Sequence, residues 1–228
     1  MTKILLTNAR LIDPEAGTET DGSLLIKDGV IQAVGSVVDT PPKGAVVIDC
    51  GGKVLAPGII DIGVKVCEPG ERHKESFKSA GQAAAAGGVT TVVTRPDTLP
   101  AIDTPETLEF TRRRANEAAP VNVLSMAALT KCRDGREMTE IGFLLDAGAV
   151  GFTDCDRVIT DTKVLVRALS YSSSLGALVM GHPQDPGLSK GAAATSGKFA
   201  SLRGLPAVSP MAERMAIDRD IAMIEMTG

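Results

Sequence analysis

The sequence VLAPGIIDIGVKVCEPG, residues 54–70, contains the strand around which we interpret the rest of the chain. Turn signals at Pro57-Gly58 and Pro69-Gly70 enclose a run rich in β-branched residues, about the length of one buried strand. Alternation predicts an aliphatic face (Ile60, Ile62, Val64, Val66) and a polar or small face (Asp61, Gly63, Lys65, Cys67). An apolar outer face and a chemically capable inner face are typical of the first strand of a parallel α/β barrel, where chemistry lies at the C-terminal ends of the strands.

The remainder of the chain predicts two domains of different character. Residues 1–55 read as short strands with turns, including an Asp28-Gly29 hairpin, and we expect a small N-terminal β-sandwich. Residues 56–228 alternate strand and helix, which predicts a parallel sheet with right-handed crossovers. The fold class is therefore α/β, a TIM-like (β/α) barrel domain beside a small β domain.

The expected barrel elements follow one another at regular intervals. After the first strand we expect strands at 89–94, 121–126, 149–154 and 177–182, and helices at 75–87, 105–118, 138–147, 162–175 and 210–226, with a loose segment at 189–204. Thr104 and Pro105 form a typical helix start. Only five strand–helix units are visible, whereas a closed barrel has eight strands and about 250 residues. We therefore expect a partial barrel, in a protein that continues past Gly228.

Composition and charge narrow the possible partners and environment. The net charge of −4 gives no reason to expect nucleic acid or an anionic membrane as a partner. The four cysteines are widely spaced and form no CxxC pair, which favours reduced thiols and a cytoplasmic location. The chain has only two histidines, His73 and His182, so few imidazoles are available for a metal.

Several blocks resemble the amidohydrolase superfamily, and within it the dihydroorotases. The first strand, PGIIDIGVKVCEPG, is similar to the opening barrel strand of that family. AAAAGGVTTVV at 83–93, RPDTLPAID at 95–103 and GAVGFTD at 148–154 are similar to later blocks in the same order. The resemblance implies a metal-dependent hydrolase barrel, and for the dihydroorotases hydrolysis of the ring amide of dihydroorotate in pyrimidine biosynthesis.

The resemblance also implies a functional site, whose residues this chain has largely replaced. The family strand reads Asp-x-His-x-His-x-Arg, and the two histidines and the arginine correspond here to Gly63, Lys65 and Cys67. Asp97 stands in place of an asparagine that helps to hold the substrate carboxylate, and we expect its charge to repel an anion. The acidic pair on the fourth strand becomes Asp154-Cys155, and only His182 matches a ligand position.

These replacements predict a degenerate site with no catalytic residue and no bound metal. We expect Lys65 to form a structural ion pair, with Asp97 or Asp154, in preference to acting in catalysis. A residual soft-metal site of Cys67, Cys155 and His182 remains an alternative.

Two functions follow from the resemblance. The first is an inactive, structural dihydroorotase-like chain that accompanies aspartate transcarbamoylase and forms a homo-oligomer. The alternative is an active cyclic amidohydrolase, a dihydroorotase whose zinc site has been rebuilt from Lys65, Cys67, Asp154, Cys155 and His182. The resemblance supplies the transcarbamoylase partner, since nothing in composition or spacing indicates it.

Overall fold

The computed structural model describes residues 2–35 and 41–228, and the chain divides into two compact units, Met1–Gly58 and Ile59–Gly228. The first unit is built of β-strands and the second of alternating strands and helices, so the chain has a mixed α/β fold. Within the described ranges, no helix combines the length and the apolar character that crossing a membrane requires.

The described strands of the first unit form one five-stranded sheet. They are β1 (Lys3–Asp13), β2 (Thr18–Lys27), β3 (Val30–Gly35), β4 (Val46–Asp49) and β5 (Val54–Leu55). Strands β3, β2 and β1 are antiparallel neighbours, and β4 and β5 both run parallel to β1.

The hairpin between β2 and β3 forms where the sequence predicted it. Asp28 and Gly29 both have positive φ, 50° and 82°. Two consecutive left-handed residues are what a type I′ turn requires, and Asp-Gly adopts them at little cost. The turn is also tied to the start of β1, because the Asp28 amide donates to the carbonyl of Thr2 at 2.9 Å.

The second unit begins with the predicted βαβαβ pattern. Strands β6 (Ile59–Val64), β7 (Val89–Thr94) and β8 (Asn122–Ser125) are parallel neighbours, joined by helices α1 (Phe77–Ala86) and α2 (Pro105–Ala118). Both helices start with a capping box, from Ser76 and Thr104, and Pro105 is the first residue of α2 as predicted.

The fourth and fifth predicted strands are reduced to isolated bridges. Phe152 makes parallel bridges to Ala127 on one side and to Val179 on the other, in place of continuous ladders over 149–154 and 177–182. Through these bridges, the segments around Phe152 and Val179 still follow β8 in the order of the sheet. The prediction of full strands was wrong, because the chain there makes single bridges and turns toward the loops at the C-terminal edge.

The remaining strands and α-helices follow along the chain. They are α3 (Ile141–Asp146), α4 (Thr162–Ser174), α5 (Pro186–Ser189), β9 (Ala194–Thr195), α6 (Lys198–Arg203), β10 (Ala207–Val208) and α7 (Met211–Thr227). Helix α3 starts three residues later than predicted, because Met138 pairs with Thr130 in a bridge. The segment predicted to be loose is ordered instead into α6 and a two-stranded ribbon of β9 and β10.

Gly63 breaks the alternation predicted for the first barrel strand. Its φ of +90° accompanies a register shift between Ile62 and Val64 in the pairing with β7, and a bulge of this kind reverses the facing of the residues that follow. Val64 and Val66 pack with the cluster around Phe77, whereas Ile62 is 64% exposed. The predicted single aliphatic face was therefore wrong.

The loop after β6 is fastened by one buried carboxylate. Glu68 is only 5% exposed, and its two oxygens accept from the Phe77 amide at the first turn of α1 (3.1 Å) and from Nε of Arg114 on α2 (3.2 Å). Arg72 lies 3.6 Å from the same carboxylate. Glu68 thus joins the C-terminal end of β6 to both helices that cover the sheet.

We expect Glu68→Ala to lower the free energy of unfolding of the chain by about 1–3 kcal/mol, the cost of leaving the Phe77 amide without an acceptor. Glu117→Ala is the matched control, because it removes the other, exposed carboxylate bound by Arg114 and should change stability little. Urea denaturation of both variants measures the difference. Equal stability of the two variants would contradict the assigned role of Glu68.

Candidate functional site

A cavity of about 270 Å³ opens at the C-terminal ends of the parallel strands. Apolar walls and a few polar groups share its lining: Ile62, Gly63, Arg95, Met126, Thr153, Cys155, Asp156, Met180 and His182. These residues come from the ends of β6 and β7, from the segment after β8, and from the two bridged segments. The cavity therefore lies at the edge where a parallel barrel carries its chemistry.

The centre of the charge arrangement is Asp97, which is buried beneath two cations. Its side chain is 2% exposed, and its Oδ2 lies 2.9 Å from Nζ of Lys65 and 2.8 Å from Nη2 of Arg95. The hydrogen bond and the charge of Asp97 raise the pKa of the Lys65 ammonium. The ion pair predicted for Lys65 is thus confirmed, with Asp97 and not Asp154 as its partner.

Arg95 extends the cluster toward the segment after Phe152. Its Nη2 lies 3.8 Å from Asp156, and Asp156 is held more closely by Nη1 of Arg133 at 3.0 Å. Burial raises the pKa of Asp156, but the hydrogen bonds from Arg133 and from its own backbone, together with the charges of Arg133 and Arg95, outweigh it, so the pKa is lowered. Three cations and two carboxylates thus form one connected group.

Two buried polar atoms in this cluster lack a partner. Among the described residues, Nε of Arg95 and Oδ1 of Asp97 have no group within hydrogen-bond distance. Native proteins leave few buried polar atoms unpaired, so these two atoms are an unusual feature of the cluster.

Cys155 and His182 line the same cavity from adjacent segments. Cys155 has φ +58°, and its amide donates to the Thr153 hydroxyl at 3.0 Å. Burial raises the pKa of its thiol, and the charge of Asp97 adds to this while Arg95 opposes it. The Cys155 thiol is therefore kept neutral at physiological pH. Nε2 of His182 lies 3.2 Å from the side-chain oxygen of Gln184.

Two other predicted site residues, Cys67 and Gly63, contribute no side chain to the cavity. Cys67 does not line the cavity; its carbonyl accepts from the Glu71 amide in the loop after β6. Gly63 lines it but contributes no side chain. In residues 2–35 and 41–228, no three side chains among His, Cys, Asp and Glu converge closely enough to hold a metal ion. The alternative soft-metal site of Cys67, Cys155 and His182 does not form among the described residues, because Cys67 lies outside the cavity that Cys155 and His182 line.

The residues present do not fit a catalytic divalent metal. Such a site needs several neutral or anionic ligands around one ion with a position left open. At the edge of the cavity, the guanidinium of Arg95 and the ammonium of Lys65 are both paired with the carboxylate of Asp97. A divalent cation placed among them would be repelled by both.

Asp154 is used as a structural acceptor instead of a cavity group. It is 4% exposed, and its carboxylate accepts from the amides of Leu129 and Thr130, both at 3.0 Å, and from the Thr130 hydroxyl. Burial raises the pKa of Asp154, and the hydrogen bonds from Thr130 and Leu129 only partly oppose this. The carboxylate thus fixes the loop after β8 and does not line the cavity that contains Arg95.

Sequence reasoning missed Arg95, Asp156 and Arg133. Arg95 had an available signal: it directly follows β7, at the same sheet edge as Lys65, two residues before Asp97. The roles of Asp156 and Arg133 depend on how two loops fold toward each other, and no spacing in the sequence indicates that.

We expect Asp154→Asn to gain stability relative to the unaltered chain as pH rises from about 4 to 7. A carboxyl group with a raised native pKa contributes most below its unfolded pKa, and this contribution is lost as pH rises through the native value. The amide keeps an oxygen for the two backbone donors and never ionises. Urea denaturation across this range measures the difference, and a pH-independent difference would contradict it.

Asp154→Ala, which leaves the donors without an acceptor, should be less stable than Asp154→Asn throughout by about 1–3 kcal/mol for each lost partner.

Known proteins resemble this chain over nearly all of its length. A chain named L-hydantoinase (dihydropyrimidinase), from Arthrobacter aurescens, superposes with a TM-score of 0.81 at 22% identity, covering 100% of this chain and 51% of that one. At this identity the likeness shows the fold alone.

Relatives in sequence are closer. A dihydroorotase of Wolbachia sp. subsp. Drosophila simulans is 40% identical over 98% of this chain and 50% of its own length. One of Syntrophus aciditrophicus is 34% identical over 99% of this chain and 53% of its own. The chain thus spans about half the length of the curated relatives it matches. Residues 52–228 match the family model described as dihydro-orotase-like. By this match over most of its residues, the chain belongs to the dihydroorotase-like family of amidohydrolases.

Proposed function

We propose that this chain is a catalytically silent dihydroorotase-like protein that keeps the family fold for assembly. The observation that carries the proposal is the pairing of Lys65 and Arg95 on the buried Asp97. Two fixed cations thus stand at the strand ends where the resemblance places metal-binding histidines, and Gly63 offers no ligand.

The same resemblance supports a proposal for the architecture. On this proposal the parallel strands β6 to β8 and the bridges through Phe152 are the first units of a TIM-like barrel, and the five-stranded sheet of the first unit belongs to a β-sandwich domain. Side chains on the face of the sheet that would line a barrel are solvent-exposed, among them Ile60 at 62% and Ile62 at 64%. Exposed apolar surface of this kind favours association, so we propose a homo-oligomer. We also propose a cytoplasmic location, because the four cysteines are widely spaced and form no CxxC pair.

An active cyclic amidohydrolase is the second candidate. Identities of 34–40% to proteins named dihydroorotase favour it, as does the presence of Cys155 and His182 at one cavity. It requires a zinc site formed with those two residues and a displacement of Arg95 from Asp97. The two candidates differ in metal content and in turnover.

We expect the purified chain to contain less than about a tenth of an equivalent of zinc and to hydrolyse no dihydroorotate, because the residues that the structure describes bring together no three side chains that could be the protein ligands of a catalytic zinc. Elemental analysis of protein prepared without chelator, beside a turnover assay, tests this. One or two equivalents of zinc with turnover would establish the active candidate.

Two variants separate charge repulsion from loss of ligands. Gly63→His with Lys65→His restores two imidazoles but leaves Arg95, and we expect it to bind zinc weakly. Adding Arg95→Met removes the remaining cation and should increase zinc content, with elemental analysis as the readout. Equal zinc in the double and triple variants would show that the Arg95 charge does not oppose the metal.

The resemblance also supplies the proposed partner, aspartate transcarbamoylase. A chain that keeps the family fold without its metal ligands can still present the surfaces through which such a chain would assemble. Catalytic inactivity and assembly with the transcarbamoylase are independent properties, so the chain can have either one without the other.

We expect the protein to co-purify in fixed stoichiometry with the transcarbamoylase of the same genome when the two are co-expressed. Size-exclusion chromatography with light scattering gives the mass of the complex. Separate elution of both proteins at micromolar concentration would contradict the partnership.

A further inference from the structure

We propose that the surface formed by α3 and α4 is a two-fold interface between copies of this chain, in which Phe143 of one copy enters a depression beside α3 of the other. This α3–α4 surface comprises Glu140, Phe143, Arg167, Tyr171 and Leu175. The inference rests on the proposed function only in taking the chain to associate with itself. It assigns the contact to a surface other than the exposed face of the sheet.

An exposed aromatic ring on a short helix is the first feature of the α3–α4 surface. Helix α3 buries Ile141 and Leu144, both at 0% exposure, whereas Phe143 between them is 66% exposed. Tyr171 on α4 and Leu175 at its end are exposed as well. Aromatic side chains are enriched at protein interfaces, because each ring buries a large apolar area there. The two helices thus present apolar groups that the core of the chain does not use.

Gly142 brings the exposed side chains of the two helices together. A Cβ atom at this position would lie 3.3 Å from the hydroxyl oxygen of Tyr171 and 3.8 Å from Cδ1 of Leu175. The tyrosine and the leucine therefore lie over the backbone of α3 directly before Phe143, and the three side chains belong to one surface. A contiguous exposed apolar patch of this kind marks an interaction site.

A depression of about 240 Å³ adjoins this patch. Met138 and Val164 supply apolar walls, and Glu140 and Arg167 lie at its charged part. Glu140 comes three residues before Phe143, a spacing that makes the two side chains neighbours, so the depression lies beside the exposed ring. The volume is below the range of about 300–1,000 Å³ typical of ligand pockets. It suits one aromatic side chain.

A protruding ring beside a depression that suits a ring is self-complementary. In a two-fold dimer the same patch serves both copies, so that each of two residues contacts the other across the axis. An axis between Phe143 and the depression would place each ring in the depression of the opposite copy. The occupant that this surface fits is therefore a second copy of the chain.

The charges around the depression are self-complementary too. Arg136 and Arg167 supply two cations, and Glu137 and Glu140 supply two carboxylates, so the lining as a whole is neutral. A partner with a strong charge of either sign would gain little from such a site. In the two-fold dimer, Glu140 of each copy would face Arg167 of the other, because both groups border the depression that the ring enters.

Tyr171 is a reporter of this interface, because the chain has one tyrosine and no tryptophan. Two short helices offer an area below about 1,200 Å², which corresponds to weak and reversible association. The experiment dilutes the purified protein through the micromolar range and records its mass by light scattering together with the emission of Tyr171. We expect the mass to fall from two chains to one, and the emission to change at the same midpoint concentration.

Two equally exposed phenylalanines give matched variants. Phe143→Ser should raise the dissociation constant of the dimer at least about thirtyfold, the effect of removing an aromatic anchor from an interface. Phe199→Ser removes a ring of α6 that is 67% exposed and lies outside the α3–α4 surface, so it should leave the constant unchanged. Circular dichroism checks that both variants fold. Equal dissociation constants for the two folded variants would overturn the proposal.

Charge reversal tests the two-fold arrangement. Glu140→Arg alone would set cations against cations at both depressions, and Arg167→Glu alone would set carboxylates against carboxylates. Each should weaken association at least about tenfold, because like charges then face each other. A variant with both reversals should recover most of the affinity. Additive weakening in that variant would overturn the proposed arrangement.

The outcomes for the unaltered protein separate this inference from the proposed function, and they decide even if a variant fails to fold. A dimer that dissociates without a change in Tyr171 emission has its contact elsewhere, which refutes the inference while the homo-oligomer stands. A mass of one chain at every concentration would refute both. Neither result bears on catalytic silence, which zinc content and turnover decide.

Discussion

One buried carboxylate, Asp97, determines how the C-terminal edge of the second unit is arranged. A carboxylate at 2% exposure is stable only if opposite charges satisfy it, and Lys65 and Arg95 do so from the ends of two adjacent strands. Arg95 then faces Asp156, which is paired with Arg133 in the loop after β8. The loops that enclose the cavity are therefore linked through one group of alternating charges.

A second buried carboxylate acts in the same way on the neighbouring segment. Asp154 fixes Leu129 and Thr130 through hydrogen bonds to their backbone and hydroxyl groups. Cys155 follows it with positive φ and is thereby placed at the cavity. Two adjacent residues that the resemblance assigns to one metal site thus have separate roles, one in fixing a loop and the other in lining the cavity.

Much of the fold could be predicted from the sequence because local signals were strong. Thr104-Pro105 fixed the start of α2, the glycines after α1 its end, and Asp28-Gly29 a hairpin, all of them effects of a few adjacent residues. The bulge at Gly63 was missed because alternation assumes a regular strand, and a positive φ at one glycine reverses every later side chain. The fourth and fifth strands were over-predicted because β-branched composition does not tell a ladder from a single bridge.

The site shows most clearly where sequence reasoning ends. Considered one position at a time, the absence of the two histidines and the arginine and the presence of Asp97 indicate a site that binds neither metals nor anions. In the folded chain, Lys65 and Arg95 compensate the charge of Asp97, and of these three residues only Arg95 lines the cavity. A formal charge in a sequence becomes an electrostatic property of a site only after its partners are known, since pairing and burial decide whether a ligand can sense that charge.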